Sequence, residues 1–581
     1  MHASARLCAH LSGTTRARAA TAGRVGRRTP REVAQAKRGR PVARKPPPEE
    51  EGGHNGNVGD AIAPEAVVGK DIRLNVDEDA GFTIMRTTTD CTMNIDCLSS
   101  TDQEANNGRG RFTVLEVPTL RDQLVSLSSD IHDSEVPRSN PLLDGRVYSG
   151  HFIRECLRDD SDLLEISSIH TPGIARVLRR RRIPADPLRD AVNVYAHRAG
   201  PREWVYWDPP RVKAAVLTAD GLCPGTNVAV REIVRTLADY GVRDGMVRGI
   251  PFGFKGLATR TCQREDLCHF PLRVEDVRGA GAQGGSLLGS SRVPDDPDPA
   301  VLKQMVKNID IWGLDHLYII AGRSGCRLAA RLAEELHRRE VVCAVITVPK
   351  TVDNCMPLLD RTFGFDSAVQ AAQDALRAAD VEASSGLDGI GIVKVMGKDS
   401  GFIASQASLS SGLVDLCLIP EVPANLHGPN GVFQHLRKIL HDNGHAVICL
   451  SEGCGPNFTD SDFDPERRNS TGDKPDVGVW LRNQIKKEFP QSDVKYIDPT
   501  YMIRSQLPCP SDHGVCTVMG TNAVHGAFAG YTNLAVGLVN THYAFLPIST
   551  ITGTTRKVST EGKLWSRLCA SIQQPNFAIS E

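Results

Sequence analysis

Tyr318-Ile319-Ile320-Ala321-Gly322-Arg323-Ser324-Gly325 is the stretch that determines the fold of this chain. Its apolar first half predicts a buried strand, and Leu328, Leu332 and Leu336, spaced by four residues, predict a helix directly after it. A strand that turns straight into a helix points backbone N–H groups and the helix N-terminus at one place, which favours an anion. The turn is therefore predicted to hold a phosphate, with Arg323 at its apex.

The same strand–helix unit recurs on both sides of this stretch. Residues 214–218 predict a strand, and a helix is predicted from Asn227 to just before Gly241. Further pairs of an apolar strand and an amphipathic helix are 341–348 with 366–379, 390–395 with 402–409, 414–419 with 432–440, and 446–450 with 477–489. Apolar strands without strict alternation are typical of parallel sheets covered on both faces. About 330 residues of this pattern exceed one core, so we predict an α/β fold of two doubly wound, Rossmann-like lobes with the active site between them.

The composition is that of a globular protein, with 40% hydrophobic and 24% charged residues among 581. A formal net charge of -1 gives no reason to expect a nucleic-acid partner. No apolar run is long enough to predict a membrane span, so no membrane partner is expected. The 16 Cys residues contain no CxxC pair, which argues against a zinc or dithiol site.

Residues 1–60 are predicted to lie outside the folded part of the chain. Before Pro46 there are ten Arg and two Lys against one acidic residue, Glu32. Such an Arg-rich, acid-poor segment is typical of an organelle transit peptide, and a disordered basic arm is the alternative interpretation. A Pro-, Glu- and Gly-rich linker follows it.

Polar or glycine-containing loops follow several predicted strands, at the positions where ligands bind in such sheets. These loops are residues 218–227, 348–355, 395–398, 451–453 and 496–504. Each loop alone has a second interpretation as a turn or a surface charge. Together they supply carboxylates, cations and two glycine-rich anion sites, and this set fits phosphoryl transfer between a nucleotide and a phosphorylated sugar.

At these residues the sequence resembles the 6-phosphofructokinase family, specifically its plant and algal ATP-dependent branch. The resemblance runs from about residue 117 to about residue 548 and includes Gly221-Leu222-Cys223-Pro224-Gly225, Pro349-Lys350-Thr351-Val352-Asp353-Asn354, Ser400-Gly401-Phe402-Ile403-Ala404 and residues 496–504. It implies an allosteric, oligomeric kinase of glycolysis that phosphorylates fructose 6-phosphate with ATP and Mg²⁺. With the transit-peptide composition, it leads us to expect a chloroplast or other plastid, with mitochondrion and cytoplasm as alternatives.

The rest of the chain is divided as follows. Residues 61–115 are polar and weakly periodic and stay unassigned, with disorder as one alternative, and residues 116–210, with short apolar runs between Pro and charge clusters, are expected to be an N-terminal extension. The remaining assignments are a nucleotide-side lobe at 211–385 plus about 505–555, a sugar-phosphate-side lobe at 386–504, and a C-terminal tail at 556–581.

The resemblance implies a role for each site residue. Asp353 matches the general base that takes the proton from the sugar 1-hydroxyl, and Thr351 beside it helps to hold the transferring group. The residues implied to bind the sugar phosphate are Met396, Gly397, Lys398, Glu452, Lys495, Tyr501 and Arg504. Those implied to face the nucleotide phosphates are Asp220, Gly221, Arg292, Gly322, Arg323, Ser324 and Gly325.

The nucleotide side departs from the family pattern at three positions. Arg323 stands where the family has a magnesium-binding Asp, Asp220 where it has Gly, and Cys355 where it has a second Asp. A guanidinium cannot ligate Mg²⁺, so Mg²⁺ is implied by the family but no metal ligand is predicted here. We predict that Asp220 and Arg323 pair and block the phosphate site. The alternative is that Arg323 replaces the metal as a phosphate clamp and keeps slow transfer.

Three functions therefore stay open at the level of sequence. The first is ATP-dependent 6-phosphofructokinase activity with impaired turnover. The second is a catalytically degenerate, sugar-phosphate-binding regulatory subunit that assembles with an active paralogue instead of forming a homo-oligomer. The third is a pyrophosphate-dependent phosphofructokinase, with which Lys350 is compatible.

Overall fold

The structure of the protein is a computed structural model. It describes residues 72–77, 81–87, 113–117, 124–127, 138–143, 163–166, 194–202, 204–259, 267–294, 298–458, 463–464 and 475–577. These ranges all belong to one compact unit, residues 70–581. The predicted transit peptide and linker at 1–60 lie outside the described residues. No helix within the described ranges has the length and apolar character that a membrane span requires.

The strands are numbered here in chain order. They are β1 Ile72–Asp77, β2 Gly81–Thr87, β3 Thr113–Val117, β4 Val125–Ser126, β5 Arg138–Ser139, β6 Leu163–Ile166, β7 Val194–Arg198, β8 Trp204–Val205, β9 Ala214–Thr218, β10 Val247–Ile250, β11 Phe270–Pro271, β12 His316–Ala321, β13 Ala344–Pro349, β14 Gly389–Val395, β15 Leu416–Leu418, β16 His445–Ser451, β17 Val494–Ile497, β18 Tyr531–Thr532, β19 Leu534–Val539 and β20 His542–Pro547.

The helices are numbered in the same way. They are α1 Thr226–Tyr240, α2 Phe254–Leu257, α3 Val274–Val277, α4 Pro299–Trp312, α5 Arg323–Arg338, α6 Phe365–Ser384, α7 Phe402–Ser411, α8 Val432–Asn443, α9 Val477–Glu488, α10 Thr500–Ser505, α11 Pro510–Phe528, α12 Ile548–Thr552 and α13 Lys563–Ser571.

A nine-stranded sheet forms the larger lobe, in the order β11-β10-β9-β12-β13-β19-β20-β7-β6. Its central strands β10, β9, β12, β13 and β19 are parallel. Residues of β9, β12 and β13 are buried along their whole length, because helices cover both faces. Helices α1 and α11 contribute to the core on one face, and α4 and α5 to the core on the other.

A four-stranded parallel sheet forms the smaller lobe, in the order β15-β16-β14-β17. Helices α6 and α7 pack into the core on one of its faces, and α8 and α9 into the core on the other. Both sheets are thus doubly wound, and the predicted α/β fold of two Rossmann-like lobes is confirmed.

The predicted strand–helix pairs all occur, and most bounds agree within a few residues. The helix predicted at 366–379, for example, is observed as Phe365–Ser384. The sequence did not predict the hairpin β19–β20, whose turn places Asn540 and Thr541 in the left-handed region at φ 49° and 67°.

Regions outside the predicted pairs also contribute strands. Strands β6 and β7, within the expected extension at 116–210, pair with each other and complete one edge of the large sheet. Strands β1, β2 and β3 form a separate three-stranded sheet that lies mostly within the stretch left unassigned, 61–115.

Candidate active site between the two sheets

The candidate active site lies where the carboxyl ends of the central strands of both sheets meet. Loops after β9, β12 and β13 come from the large lobe, and loops after β14, β16 and β17 come from the small lobe. Asp353 lies close enough to Glu452, Arg504, Arg323 and Asp399 for their charges to change its pKa. The structure therefore brings together residues that are distant in the sequence, from Arg323 to Arg504, as ligand sites in such folds require.

The loop that carries Asp353 is held by its own side chains. Thr351 Oγ1 accepts a hydrogen bond from the Asp353 amide at 3.1 Å. Asn354 has a left-handed backbone at φ 51°, and its side-chain oxygen accepts from the Thr362 amide at 3.1 Å. Its side-chain nitrogen donates to the Asp360 carbonyl at 3.3 Å. These bonds fix the direction in which the loop leaves β13.

The Asp353 carboxyl group has the electrostatic properties of a general base. Its Oδ1 is buried and has no hydrogen-bond partner within the described residues. Burial, and next the charge of Glu452, raise the pKa of Asp353 to about 7, against the opposing effect of Arg504. A carboxyl group that titrates near neutral pH can accept a proton in a reaction at that pH.

Glu452, Arg504 and the 396–400 loop lie beside Asp353. Burial raises the pKa of Glu452, although Lys394 and Arg504 favour its ionised form. Arg504 Nε is buried and makes no hydrogen bond to the described part of the chain. Ser400 Oγ donates to the Asp353 carbonyl at 3.3 Å, so the loop after β14 contacts the loop after β13 directly.

Gly397 is required by this arrangement. Its φ is 133°, and a Cβ there would come within 2.4 Å of the Ser400 carbonyl oxygen and 2.6 Å of Ser451 Oγ. The preceding residue, Met396, is buried. At Gly397 the loop after β14 therefore packs closely against Ser451, the last residue of β16.

The role of three predicted sugar-phosphate residues, Lys398, Lys495 and Tyr501, stays a prediction. Tyr501 is 82% exposed, and Lys398 is exposed as well. The Lys495 ammonium lies 3.1 Å from Asp493 Oδ2, at the beginning of β17 and thus at the opposite end of the strand from the cleft.

Lys394 is a residue that the sequence analysis missed. It is buried near the end of β14, 2.8 Å from Asp498 Oδ2 and in contact with Asp476. Burial disfavours its charge, but hydrogen bonds to Asp476 and Asp498 outweigh burial and raise the pKa of Lys394. A lysine within the otherwise apolar strand 389–395 was the available signal.

On the donor side, the Asp220 carboxylate occupies the N-terminus of helix α5. Asp220 has φ 65°, a left-handed backbone conformation, and Oδ2 accepts from the Gly325 amide at 2.8 Å. Oδ1 accepts from the Val293 amide at 3.3 Å. Burial raises the pKa of Asp220, while the Gly325 hydrogen bond and the charge of Lys350 oppose that rise. An internal anion thus binds the helix N-terminus predicted to hold a phosphate.

The predicted Asp220–Arg323 pair is wrong. Arg323 Nη2 lies 3.6 Å from Asp399 Oδ2, so this ion pair joins the large lobe to the small lobe across the cleft. The Asp220 carboxylate is instead satisfied by backbone amides of the first turn of α5 and of the 291–293 segment. Backbone donors that are already fixed in place compete well against a long, partly exposed arginine.

The other predicted donor-side residues surround Asp220. Lys350 Nζ donates to the Gly221 carbonyl at 2.5 Å, and burial lowers the pKa of Lys350. The Asp220 amide donates to the carbonyl of Ser291, which precedes the exposed Arg292. Gly322 precedes the first turn of α5, and a Cβ on Gly325 would come 2.7 Å from Asp220 Oδ2. Ser324 lies between them in the same turn.

The donor-side residues do not fit a Mg²⁺ ion held by the protein. Arg323 carries the wrong charge, and the Asp220 carboxylate is taken up by backbone amides. Burial raises the pKa of the Cys355 thiol to about 12, which keeps it neutral. Across the described ranges, no three His, Cys, Asp or Glu side chains are grouped as a metal site would require.

The sequence is similar to those of known proteins. The phosphofructokinase family model matches residues 213–527. The chain is 46% identical over 392 residues to ATP-dependent 6-phosphofructokinase 5, chloroplastic, of Arabidopsis thaliana, a match that covers 66% of this chain and 70% of that protein. It is 37% identical over 481 residues to ATP-dependent 6-phosphofructokinase 7 of the same plant, and this match covers 81% of this chain and 90% of that protein.

A solved structure shares the fold. The crystal structure of a pyrophosphate-dependent phosphofructokinase from Nitrosospira multiformis matches with a TM-score of 0.51 at 16% identity, over 64% of this chain and 93% of that chain.

Proposed function

Because this chain belongs to the phosphofructokinase family, we propose that it binds fructose 6-phosphate and phosphorylates it from ATP, with turnover reduced by residues on the donor side. The division into a nucleotide-side lobe (211–385 plus about 505–555) and a sugar-phosphate-side lobe (386–504) is part of this proposal. In it, Asp353 takes the proton from the sugar 1-hydroxyl as that oxygen attacks the γ-phosphorus of ATP.

The grouping of Asp353, Glu452 and Arg504 carries the acceptor half of the proposal. It offers a base with pKa near 7, a second carboxyl group for a sugar hydroxyl, and a guanidinium with a free buried N–H for the sugar phosphate. Arginine suits a phosphate because its planar fork matches phosphate oxygens. Thr351, Met396 and Gly397 line the proposed sugar site beside Asp353.

The reduced turnover follows from two charges on the donor side. The Asp220 carboxylate binds the helix N-terminus that a donor phosphate would use, and like charges repel there. Arg323 is turned toward Asp399, so it must leave that ion pair before it can contact a phosphate. The donor therefore competes with two internal contacts.

A regulatory subunit without turnover is the second candidate function. The observation that favours it is the same Asp220 contact, because a fully excluded donor leaves a protein that binds only the sugar phosphate. Such a pseudoenzyme would form a hetero-oligomer with an active paralogue, whereas the enzyme would form a homo-oligomer. Pyrophosphate as the donor is a third possibility, supported by the Lys350 ammonium beside Asp220.

Binding and turnover are measured separately to test these functions. Calorimetry with fructose 6-phosphate tests the acceptor half, and coupled assays with ATP plus Mg²⁺ or with pyrophosphate test the donor half. The triple variant Asp220→Gly, Arg323→Asp, Cys355→Asp is expected to raise ATP-dependent turnover by about 100-fold. A single surface substitution, Lys303→Glu, is the control for the net gain of negative charge in the triple variant, since Lys303 is exposed on α4.

The outcomes separate the candidates. Sugar-phosphate binding with slow ATP turnover that rises in the triple variant supports the enzyme. Binding without turnover from either donor, together with copurification of an active paralogue, supports the regulatory subunit. Absence of fructose 6-phosphate binding would reject both.

Plastid localisation is also proposed, since a relative at 46% identity is named chloroplastic and the first 45 residues have transit-peptide composition. Expression of residues 1–60 fused to a fluorescent protein tests it.

A further inference from the structure

The segment that follows helix α12 returns to the loop that carries Asp353. The Arg556 amide donates to the Cys355 carbonyl at 2.7 Å. Its Nη1 donates to the Leu359 carbonyl at 2.5 Å and to the Asp360 carbonyl at 3.2 Å. One residue from the C-terminal part of the chain thus binds both halves of the 353–360 loop.

The same residue also contacts the small lobe. The Arg556 guanidinium carbon lies 4.9 Å from the centroid of the Phe402 ring, the first residue of helix α7. Two positions later, the Val558 amide donates to Glu421 Oε1 at 2.8 Å. Glu421 accepts from the Gly401 amide at 3.0 Å as well, so its carboxylate joins the start of α7 to the 556–558 segment.

These contacts act on a loop with unfavourable backbone conformations. Asn354 and Leu358 both have left-handed φ values, 51° and 69°, which a leucine rarely adopts. The surrounding structure must hold such residues in place. Arg556 is suited to this, because its Nη1 group donates to two carbonyls while the flat face of the guanidinium lies over an aromatic ring, and a lysine has no such face.

We infer that Arg556 is a positioning residue for Asp353. It fixes the 353–360 loop against the N-terminus of α7, and thereby sets the spacing between the base and the 396–400 loop. Burial lowers the pKa of Arg556, in keeping with a guanidinium that is committed to internal contacts. The inference rests on the proposed function only for its effect on fructose 6-phosphate, and its effect on the loop is independent of activity.

Arg556→Met and Arg556→Lys test this role in the full-length protein. Methionine keeps the apolar length but loses every donor, and lysine keeps the charge but loses the planar face that lies over Phe402. Arg567→Met is the matched control, since Arg567 is exposed on α13 in the same part of the chain. Hydrogen–deuterium exchange of peptides covering 353–362 and 400–404 is measured with each variant, and calorimetry gives the affinity for fructose 6-phosphate.

In Arg556→Met, deuterium uptake is expected to rise in those two regions alone, and fructose 6-phosphate affinity to fall about tenfold. For Arg556→Lys, both deuterium uptake and affinity are expected to be intermediate between those of Arg556→Met and the wild type. Arg567→Met is expected to match the wild type in both. Unchanged uptake in 353–362, or a rise spread evenly over the chain, would overturn the inference. If the wild type does not bind the sugar phosphate, the proposed function fails while the exchange result still decides the role of Arg556.

Discussion

Substitution of Asp220 tests whether an internal carboxylate weakens ATP binding. Asp220→Asn keeps the side-chain size and tolerates the left-handed backbone at φ 65°, and it removes the charge together with one of the two acceptors that bind the Gly325 and Val293 amides. Asp220→Gly also removes the acceptor and relieves the backbone strain, because glycine adopts positive φ freely. Asp220→Asn thus tests the charge of the side chain, and Asp220→Gly also tests the space that the side chain takes up at the helix N-terminus.

The magnitude follows from the contacts of Asp220. A donor phosphate bound at the N-terminus of α5 would lie close to Oδ2, which is 2.8 Å from the Gly325 nitrogen. Two unit charges about 4 Å apart repel by about 4 kcal/mol at an effective dielectric of 20. Since Asp220 is only partly buried, we take about half of this value, which is about 30-fold in affinity.

The stability change should be smaller and independent of the affinity change. Loss of a side-chain acceptor at a helix N-terminus costs about 1 kcal/mol. In Asp220→Gly the relieved left-handed strain offsets much of this loss. Both variants should therefore unfold within a few degrees of the wild type, so that any gain in ATP affinity cannot be attributed to better folding.

The assay is calorimetric titration with ATP plus Mg²⁺, with Asp374→Asn as the control for net charge. Both Asp220 variants should bind ATP about 30-fold more tightly than the wild type, and the control should not. An affinity within about twofold of the wild type in both variants would refute the reasoning, since about 0.4 kcal/mol is far below the repulsion expected.

Three further predictions concern the cleft. Because the pKa of Asp353 is raised from 3.8 to about 7, the folded protein binds this proton more tightly than the unfolded chain, and wild-type stability falls as pH rises toward 8. Asp353→Asn should therefore abolish turnover. In urea unfolding it should be more stable than the wild type by about 2 kcal/mol at pH 8, but not below pH 4. If the variant and the wild type were equally stable at both pH values, the assigned pKa would be contradicted. Arg323→Gln breaks an ion pair whose side chains are 29% and 49% exposed, so it should cost at most about 0.5 kcal/mol and nothing in roughly 1 M salt; a larger, salt-independent loss would show another contact. Lys394→Met leaves Asp476 and Asp498 without their cation and should lower the unfolding free energy by about 2 kcal/mol, whereas the exposed Lys303→Met should not. Equal unfolding curves for the wild type and Lys394→Met would contradict this stabilising role.

The fold was predictable because its signals are local. Each strand of the parallel core is a short apolar run, as at 316–321 or 445–451, and each is followed by a helix with an apolar stripe. The strands β6 and β7, which lie at the edge of the large sheet and next to it, lacked this signal, because antiparallel strands need not be apolar on both faces.

The convergence of several candidate site residues was predictable from the sequence, but their contacts were not. Asp353, Glu452 and Arg504 follow strand ends, so their convergence follows from the topology. The partner of Asp220 depends on where a left-handed backbone directs one carboxylate, and the sequence contains no record of that direction. Lys394 and Arg556 were missed because their partners, Asp498 and the Leu359 carbonyl, are distant in sequence.

The order of strands in the large sheet has a consequence for synthesis of the protein. Strand β13 ends at residue 349, yet its neighbour β19 begins at residue 534, and β7 pairs with β20 at residues 542–547. The small sheet, by contrast, is contained within residues 389–497. On the ribosome, β9 to β13 and then the small sheet can form early, while β13 and β7 each keep an unpaired edge until almost the whole chain has emerged. This interval is when chaperone binding would matter most.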